Sequence, residues 1–168
     1  ALAFSPCGSR LYTLSRAAAK RLCVLSTLTD GEGTKLKGCE LDLPLRFDKI
    51  SVYPGHKDHL ALVRSSSVRI VVIQKSHETY ITRLLPASVP ADADISVSAY
   101  AWTASGQFAF ATRQGTLCTL DGSTGAVLHV CQAEQPITSI AVTMHHFVTA
   151  HLGNVVRFWT HDAQQLLS

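Results

Sequence analysis

Eight histidines are the residues of this 168-residue chain whose types most directly suggest chemistry. His56 and His59 share the loop His56-Lys57-Asp58-His59, and His145-His146 form an adjacent pair. A zinc ion takes three or four ligands held in place, usually with Cys or carboxylates nearby. The 56–59 loop offers an irregular first turn of such a site and nothing more, so these read as solvated loop histidines. The serines include no Gly-x-Ser-x-Gly elbow, and Ser65-Ser66-Ser67 reads as a hairpin loop. Paired carboxylates are scarce: Asp92 and Asp94 flank Ala93 in a proline-containing linker. Asp30-Gly31-Glu32-Gly33 has the glycines of a phosphate loop, but it lacks the Lys-Ser/Thr ending and a following helix. The expectation is a chain with no catalytic residues, no cofactor and no metal. Its five cysteines (Cys7, Cys23, Cys39, Cys118 and Cys131) are odd in number and include no Cys-x-x-Cys pair. That pattern suits a reduced, intracellular and cytoplasmic protein.

The elements that would position these residues are strands. Ile137–Val142 alternates apolar and small polar residues, Thr143–His146 is a turn, and Phe147–Ala150 is a second apolar run. Leu152-Gly153-Asn154 is a tight turn, and Val155–Trp159 is a third run. Beta-branched and aromatic residues between Gly/Asn turns predict an antiparallel meander. Gly153-Asn154 supplies the positive φ that a tight hairpin uses. The same succession occurs three times earlier. Its third runs end at Leu25, Ile73, Leu120 and Trp159, a period of roughly 40–50 residues. Each copy has room for a fourth strand: Lys35–Leu43, Tyr80–Leu85, Ala126–Cys131 and a short Gln164–Ser168. No stretch reads as a helix, because Ala17-Ala18-Ala19 is too short to nucleate one. Four-stranded units at this period predict an all-β chain of about four propeller blades, over 1–43, 47–87, 95–132 and 137–168.

These repeats resemble WD-repeat blades. Phe4-Ser5-Pro6-Cys7-Gly8 matches the family's first turn, which makes Pro6 and Gly8 structural positions, and Trp102-Thr103-Ala104-Ser105-Gly106 matches it loosely. Trp159 stands where the motif tryptophan belongs, followed by Thr160, while Leu120-Asp121 keeps the Asp without the Trp. The blades are degenerate, so the family's buried network of His, Ser/Thr, Trp and Asp is not assumed in any of them. Trp159 is expected to pack between blades. Trp102 ends a first strand beside its turn. The resemblance implies an incomplete segment of a larger propeller, with the remaining blades elsewhere in one longer chain.

A finer resemblance lies in the order of the turns. A Ser-Pro-x-Gly blade precedes Tyr53-Pro54-Gly55-His56, then Ala101-Trp102, then Gln114-Gly115-Thr116-Leu117. That order is similar to the large WD-repeat cilia- and flagella-associated proteins of the axoneme. It implies a non-catalytic scaffold or tether near dynein arms or microtubule doublets, with tubulin, dynein or other axonemal scaffolds as partners. The rival expectation is a WD-repeat scaffold in ribosome biogenesis or vesicle trafficking. A propeller enzyme is a further rival, and it would need polar residues converging on a central channel. The first strands offer mostly Ala, Ser, Ile and Val.

In a propeller, the hairpin loops between second and third strands open on one face. Here they carry Arg16, Lys20, Arg64, Arg113 and His151, a candidate basic face for an acidic partner. The loops between third and fourth strands carry Asp30, Glu32 and Asp121, with Lys75 against the trend, and the inter-blade linkers add Asp48, Asp92 and Asp94. A net charge of +3, with no basic run interleaved with aromatics, argues against nucleic acid as the main partner. No stretch approaches the roughly 18–20 apolar residues of a membrane span. Hydrophobic residues make up 46% of the chain and charged residues 16%, which fits either a partner-covered surface or a strand-rich core.

Overall fold

The computed structural model describes residues 1–15, 20–26, 34–76, 79–85, 96–162 and 164–167. Arg16, the Ala17–Ala19 run, the loop of Asp30 and Glu32, and the linker of Asp92 and Asp94 lie outside them. Contacts divide the chain into two compact units, Ala1–Arg64 with Val68–Pro86 and Ser65–Ser67 with Ala87–Ser168.

The first unit holds two antiparallel four-stranded sheets. One is β1 (Leu2–Phe4), β2 (Arg10–Leu14), β3 (Arg21–Ser26) and β4 (Thr34–Asp42), in that order. The other is β5 (Lys49–Val52), β6 (His59–Arg64), β7 (Ser67–Ser76) and β8 (Thr79–Leu84), also in order. Successive strand residues point to opposite faces, so β2 buries Tyr12 and Leu14 while Leu11 and Thr13 stay partly open. Tyr12, Leu14, Leu22 and Val24 pack with Leu60, Leu62, Val71 and Ile73 into one core.

The second unit repeats the plan. β9 (Val97–Trp102), β10 (Gln107–Thr112), β11 (Thr116–Asp121) and β12 (Val127–Gln132) form one sheet. β13 (Ile137–Val142), β14 (His146–His151), β15 (Val156–Thr160) and β16 (Gln165–Leu167) form the other. Ala109, Ala111 and Leu117 pack against Ile137, Phe147 and Trp159. Small residues on one sheet let bulky ones on the next fill the gap at interior density. Among the described residues there is no helix.

Polar residues join the ladders at several strand ends. Arg10, His59 and Lys49 open strands because their backbones pair even though their side chains are polar. His146 was expected in a turn and instead begins β14, opposite Thr160. Ser67 begins β7, which leaves a shorter break than the three serines suggest. Gly153 and Asn154 both have positive φ, at 85° and 62°, as a tight hairpin turn requires.

Candidate functional site

The polar chemistry of the second unit is concentrated under Trp159. The β14–β15 ladder sets Phe147 opposite Trp159 and puts Thr149 and His151 on the same buried face. Trp159 Nε1 donates to Thr149 Oγ1 at 2.7 Å. An indole nitrogen can only donate, so the hydroxyl proton of Thr149 is left for His151 Nε2, at 2.7 Å. His151 Nδ1 then carries the ring proton and donates to the carbonyl of Gln135 at 3.1 Å. This is an assignment of the tautomer from its partners. The degenerate blade motifs gave no ground to assume such a network. The structure supplies the histidine from the end of β14, and the chain of bonds ends on a backbone carbonyl, that of Gln135.

His151 therefore does not belong to the basic loop group proposed for it. It is 4% exposed and is engaged at both ring nitrogens. The burial comes from strand alternation: His151 is two residues beyond Thr149 and shares its inward face. Of the other members of that group, Lys20 and Arg113 are exposed and Arg64 is half-buried. Lys20 directly precedes β3, Arg64 ends β6, and Arg113 directly follows β10.

The remaining motif positions serve turns and packing. Ser5 Oγ accepts from the Arg10 backbone N–H at 3.0 Å, and Gly8, with φ 69°, donates to the Ser5 carbonyl at 2.9 Å; Pro6 is exposed between them. Thr103 Oγ1 accepts from the Gln107 N–H at 3.0 Å, and Thr143 Oγ1 from the His146 N–H at 3.0 Å. A hydroxyl residue directly after the first strand thus closes the turn in three of the sheets. Such residues favour turns by bonding nearby backbone, a signal the sequence carried at these positions. Trp102 is buried edge-on to Phe108, with ring centroids 5.0 Å apart. Asp121 Oδ1 accepts from the backbone N–H groups of Ser123 and Thr124, each at 2.8 Å, and from Ser123 Oγ at 2.6 Å. The Ser123 hydroxyl, ahead of the backbone donors, holds the Asp121 carboxyl below its usual range.

The histidine pairs do not assemble a metal centre. The His56 and His59 rings lie 4.8 Å apart, and His56 Nδ1 accepts from the Asp58 N–H at 3.2 Å. The His145 and His146 rings meet edge-on at 6.2 Å. Among the described residues, no three His, Cys, Asp or Glu side chains are grouped to hold an ion. An open groove of about 290 Å³ runs between Pro6-Cys7 and Pro54–Lys57 of the first unit. Cys7 lies in its wall, fully exposed to solvent, with Ser9 Oγ 2.9 Å and Ser5 Oγ 3.5 Å from its sulfur. The hydroxyls, that of Ser5 first, lower the thiol to about 6.

Two buried charges escaped the sequence reading. Arg10 pairs with Asp58 inside the first unit, and Arg157, buried on β15, reaches Glu134 at 3.3 Å. Both arginines sit at strand positions whose alternation points inward, which is the one signal that could have singled them out.

No protein-family model matches the chain, and no curated protein matches it in sequence. Solved structures do. Sqt1 of Saccharomyces cerevisiae aligns over 98% of this chain and 48% of its own, at 10% identity and a TM-score of 0.73. The β-propeller domain of Cps50 (Swd1) from Myceliophteria thermophila aligns over 99% and 56%, at 20% identity and a TM-score of 0.64. The WD40 domain of Toxoplasma gondii coronin aligns over 98% and 43%, at 15% identity and a TM-score of 0.64. At such identities the likeness is one of fold. The chain has the WD40 β-propeller fold, and each of its sheets is a blade. It spans about half the length of the structures it matches.

Proposed function

We propose that this chain is a non-catalytic protein-interaction scaffold, a WD-repeat segment that serves as a tether in the ciliary or flagellar axoneme. The observation that carries the scaffold reading is the division of labour within each blade. The strands bury the apolar clusters of each unit, and connections present charged side chains to solvent, as Lys20 and Arg113 do. Rigid blades carrying variable loops are a common platform for partner surfaces. The axonemal setting is supported by the succession of turn motifs in the first three blades. Basic side chains at the turns between second and third strands suit an acidic partner, for which the tails of tubulin are the proposed case. Complementary charge of this kind sets association rate and salt dependence more than raw affinity.

Co-sedimentation with microtubules tests this reading. Binding is expected to weaken as salt rises, to be lost when the acidic tails are removed by limited proteolysis, and to be lost in the triple variant Lys20→Glu, Arg64→Glu, Arg113→Glu. Microtubule binding that survives both tail removal and charge reversal would refute it, as would no binding at low salt.

A further inference from the structure

The turn after β1 and the turn after β5 face one another across the open groove of the first unit, with Pro6 and Cys7 on one wall and Pro54, Gly55, His56 and Lys57 on the other. Each wall is braced by its own backbone. Gly8 N–H donates to the Ser5 carbonyl at 2.9 Å, and His59 N–H to the His56 carbonyl at 3.2 Å. Two further contacts tie the walls together. Arg10, only 5% exposed, pairs with Asp58, and the Tyr12 hydroxyl donates to the Lys57 carbonyl. Parting the walls would break a largely buried ion pair, so the groove stands preformed rather than closing around what enters it. Neither contact uses the side chain of Cys7, His56 or Lys57.

Those three side chains set a nucleophile across from two donors. Ser9 Oγ and Ser5 Oγ, 2.9 and 3.5 Å from the Cys7 sulfur, can donate to its thiolate. On the facing wall the Lys57 ammonium is exposed and has no carboxylate partner among the described residues, since the neighbouring Asp58 is taken by Arg10. His56 Nδ1 accepts from the Asp58 N–H at 3.2 Å, so the proton of the neutral ring sits on Nε2, free to be donated to a ligand. A groove of about 290 Å³ with proline rims and these two donors has the size and lining of a site for a small organic anion.

We propose that this groove is a site of reversible S-thiolation, in which Cys7 forms a mixed disulfide with a small peptide disulfide that bears carboxylates, of the glutathione disulfide class. The Cys7 thiolate attacks one sulfur of the ligand. The new S–S bond forms as the old one breaks, and the other half leaves as a thiolate and takes up the proton that Cys7 had released to water. Cys7 is oxidised and the departing half is reduced, so the ligand is itself the oxidant. A carboxylate of the retained half lies against Lys57 and the His56 Nε2–H. The facing wall selects this class over a peroxide, which is uncharged and would draw nothing from a cation. A thiol lowered to about 6 is ionised at neutral pH, as the attack requires. The inference concerns the first unit and owes nothing to the basic turns, so the microtubule experiment can fail without touching it.

Timed peptide mapping of the natural polypeptide tests it, with glutathione disulfide as the anionic probe and hydroxyethyl disulfide as the neutral one, at neutral pH and low salt. Cys7 is expected to form a mixed disulfide with both. The ratio of anionic to neutral rate is expected to fall on the order of tenfold in Lys57→Glu, the scale of reversing one charge a few ångströms from another in water, and to be kept in Lys57→Arg. Raised salt should lower the same ratio in the unsubstituted protein. The Lys57 side chain is exposed and only its backbone carbonyl serves Tyr12, so neither substitution disturbs the fold, and the neutral probe reads the thiolate itself in each variant. Failure of Cys7 to form a mixed disulfide with glutathione disulfide would overturn the proposal. So would a ratio that Lys57→Glu leaves unchanged, since Cys7 would then be an exposed thiol that selects nothing.

Discussion

Trp159 donates its indole N–H to the hydroxyl of Thr149 at 2.7 Å, and both side chains are buried. The bond joins strands β14 and β15 across their ladder, and through Thr149 it reaches His151 and the Gln135 carbonyl on the linker before β13. Each member has its donor or acceptor satisfied by the next. A buried polar chain of this kind specifies one arrangement when complete and is costly when broken.

Thr149→Val keeps the shape and removes the hydroxyl. It orphans the Trp159 N–H and takes the donor away from His151 Nε2. Each unsatisfied buried group costs about 1–3 kcal/mol, so the variant is expected to lose at least about 2 kcal/mol in urea denaturation. Thr149→Ser restores the oxygen and should recover most of that loss. Equal stability of the Val and Ser variants would show that the chain of bonds contributes nothing.

Trp159→Ala removes a large side chain from the cluster it shares with Phe147, Ile137 and Ala111. Aromatic-to-alanine truncation in a packed core costs about 3–5 kcal/mol. The denaturation midpoint should drop accordingly, with the slope of the transition unchanged. Trp159→Phe keeps most of the packing and loses only the N–H, so it should fall between wild type and the alanine variant.

How much of this was legible beforehand depends on whether the contact is local. The alternation in Ile137–Val142 and the Gly153-Asn154 turn are written in adjacent residues, and both elements formed as read. The burial of His151 was not legible in that way, because His and its flanking Gly/Asn turn look the same in an open loop. What buries His151 is its register with Thr149 and a carbonyl sixteen residues upstream. Arg10 is a similar case. As a charge beside a Gly-Ser turn it reads as solvated, and its partner Asp58 stands in the next blade. Contacts between blades depend on how whole sheets stack, and a periodic pattern in one strand does not report that.

Arg10 and Arg21 separate buried from exposed pairing. Arg10 is buried with Asp58, whereas Arg21 lies on an open surface with Asp42 at 2.7 Å and Glu40 at 3.5 Å. Removing one partner of a buried pair leaves the other charge uncompensated, at about 3–5 kcal/mol. Arg10→Met should fall toward the lower end, since Asp58 keeps some contact with solvent. Arg21→Gln should leave the midpoint where it is, because exposed pairs are screened by water and salt. Thermal unfolding of the two variants at one salt concentration decides it. Comparable losses would mean that burial does not set the value of these pairs.

Cys7 and Cys118 should divide by reactivity. The thiolate is the nucleophile, so a lowered pKa and exposure together make a cysteine reactive. The hydroxyls of Ser5 and Ser9 lower Cys7 to about 6, whereas burial pushes Cys118 up to about 12. A lowered acid is ionised above its folded-state value, so Cys7 is mostly thiolate at neutral pH while an ordinary thiol is not. Its alkylation by iodoacetamide should climb through about pH 6 and level off before about pH 8, where a thiol of ordinary pKa is still gaining rate. Cys118 should stay unlabelled across that range in the folded protein. Ser9→Ala removes one hydroxyl and should move the Cys7 profile to higher pH. Peptide mapping after timed alkylation reads both sites at once. A Cys7 rate that still rises in proportion to hydroxide at about pH 8 would show that the serines do not hold the thiolate.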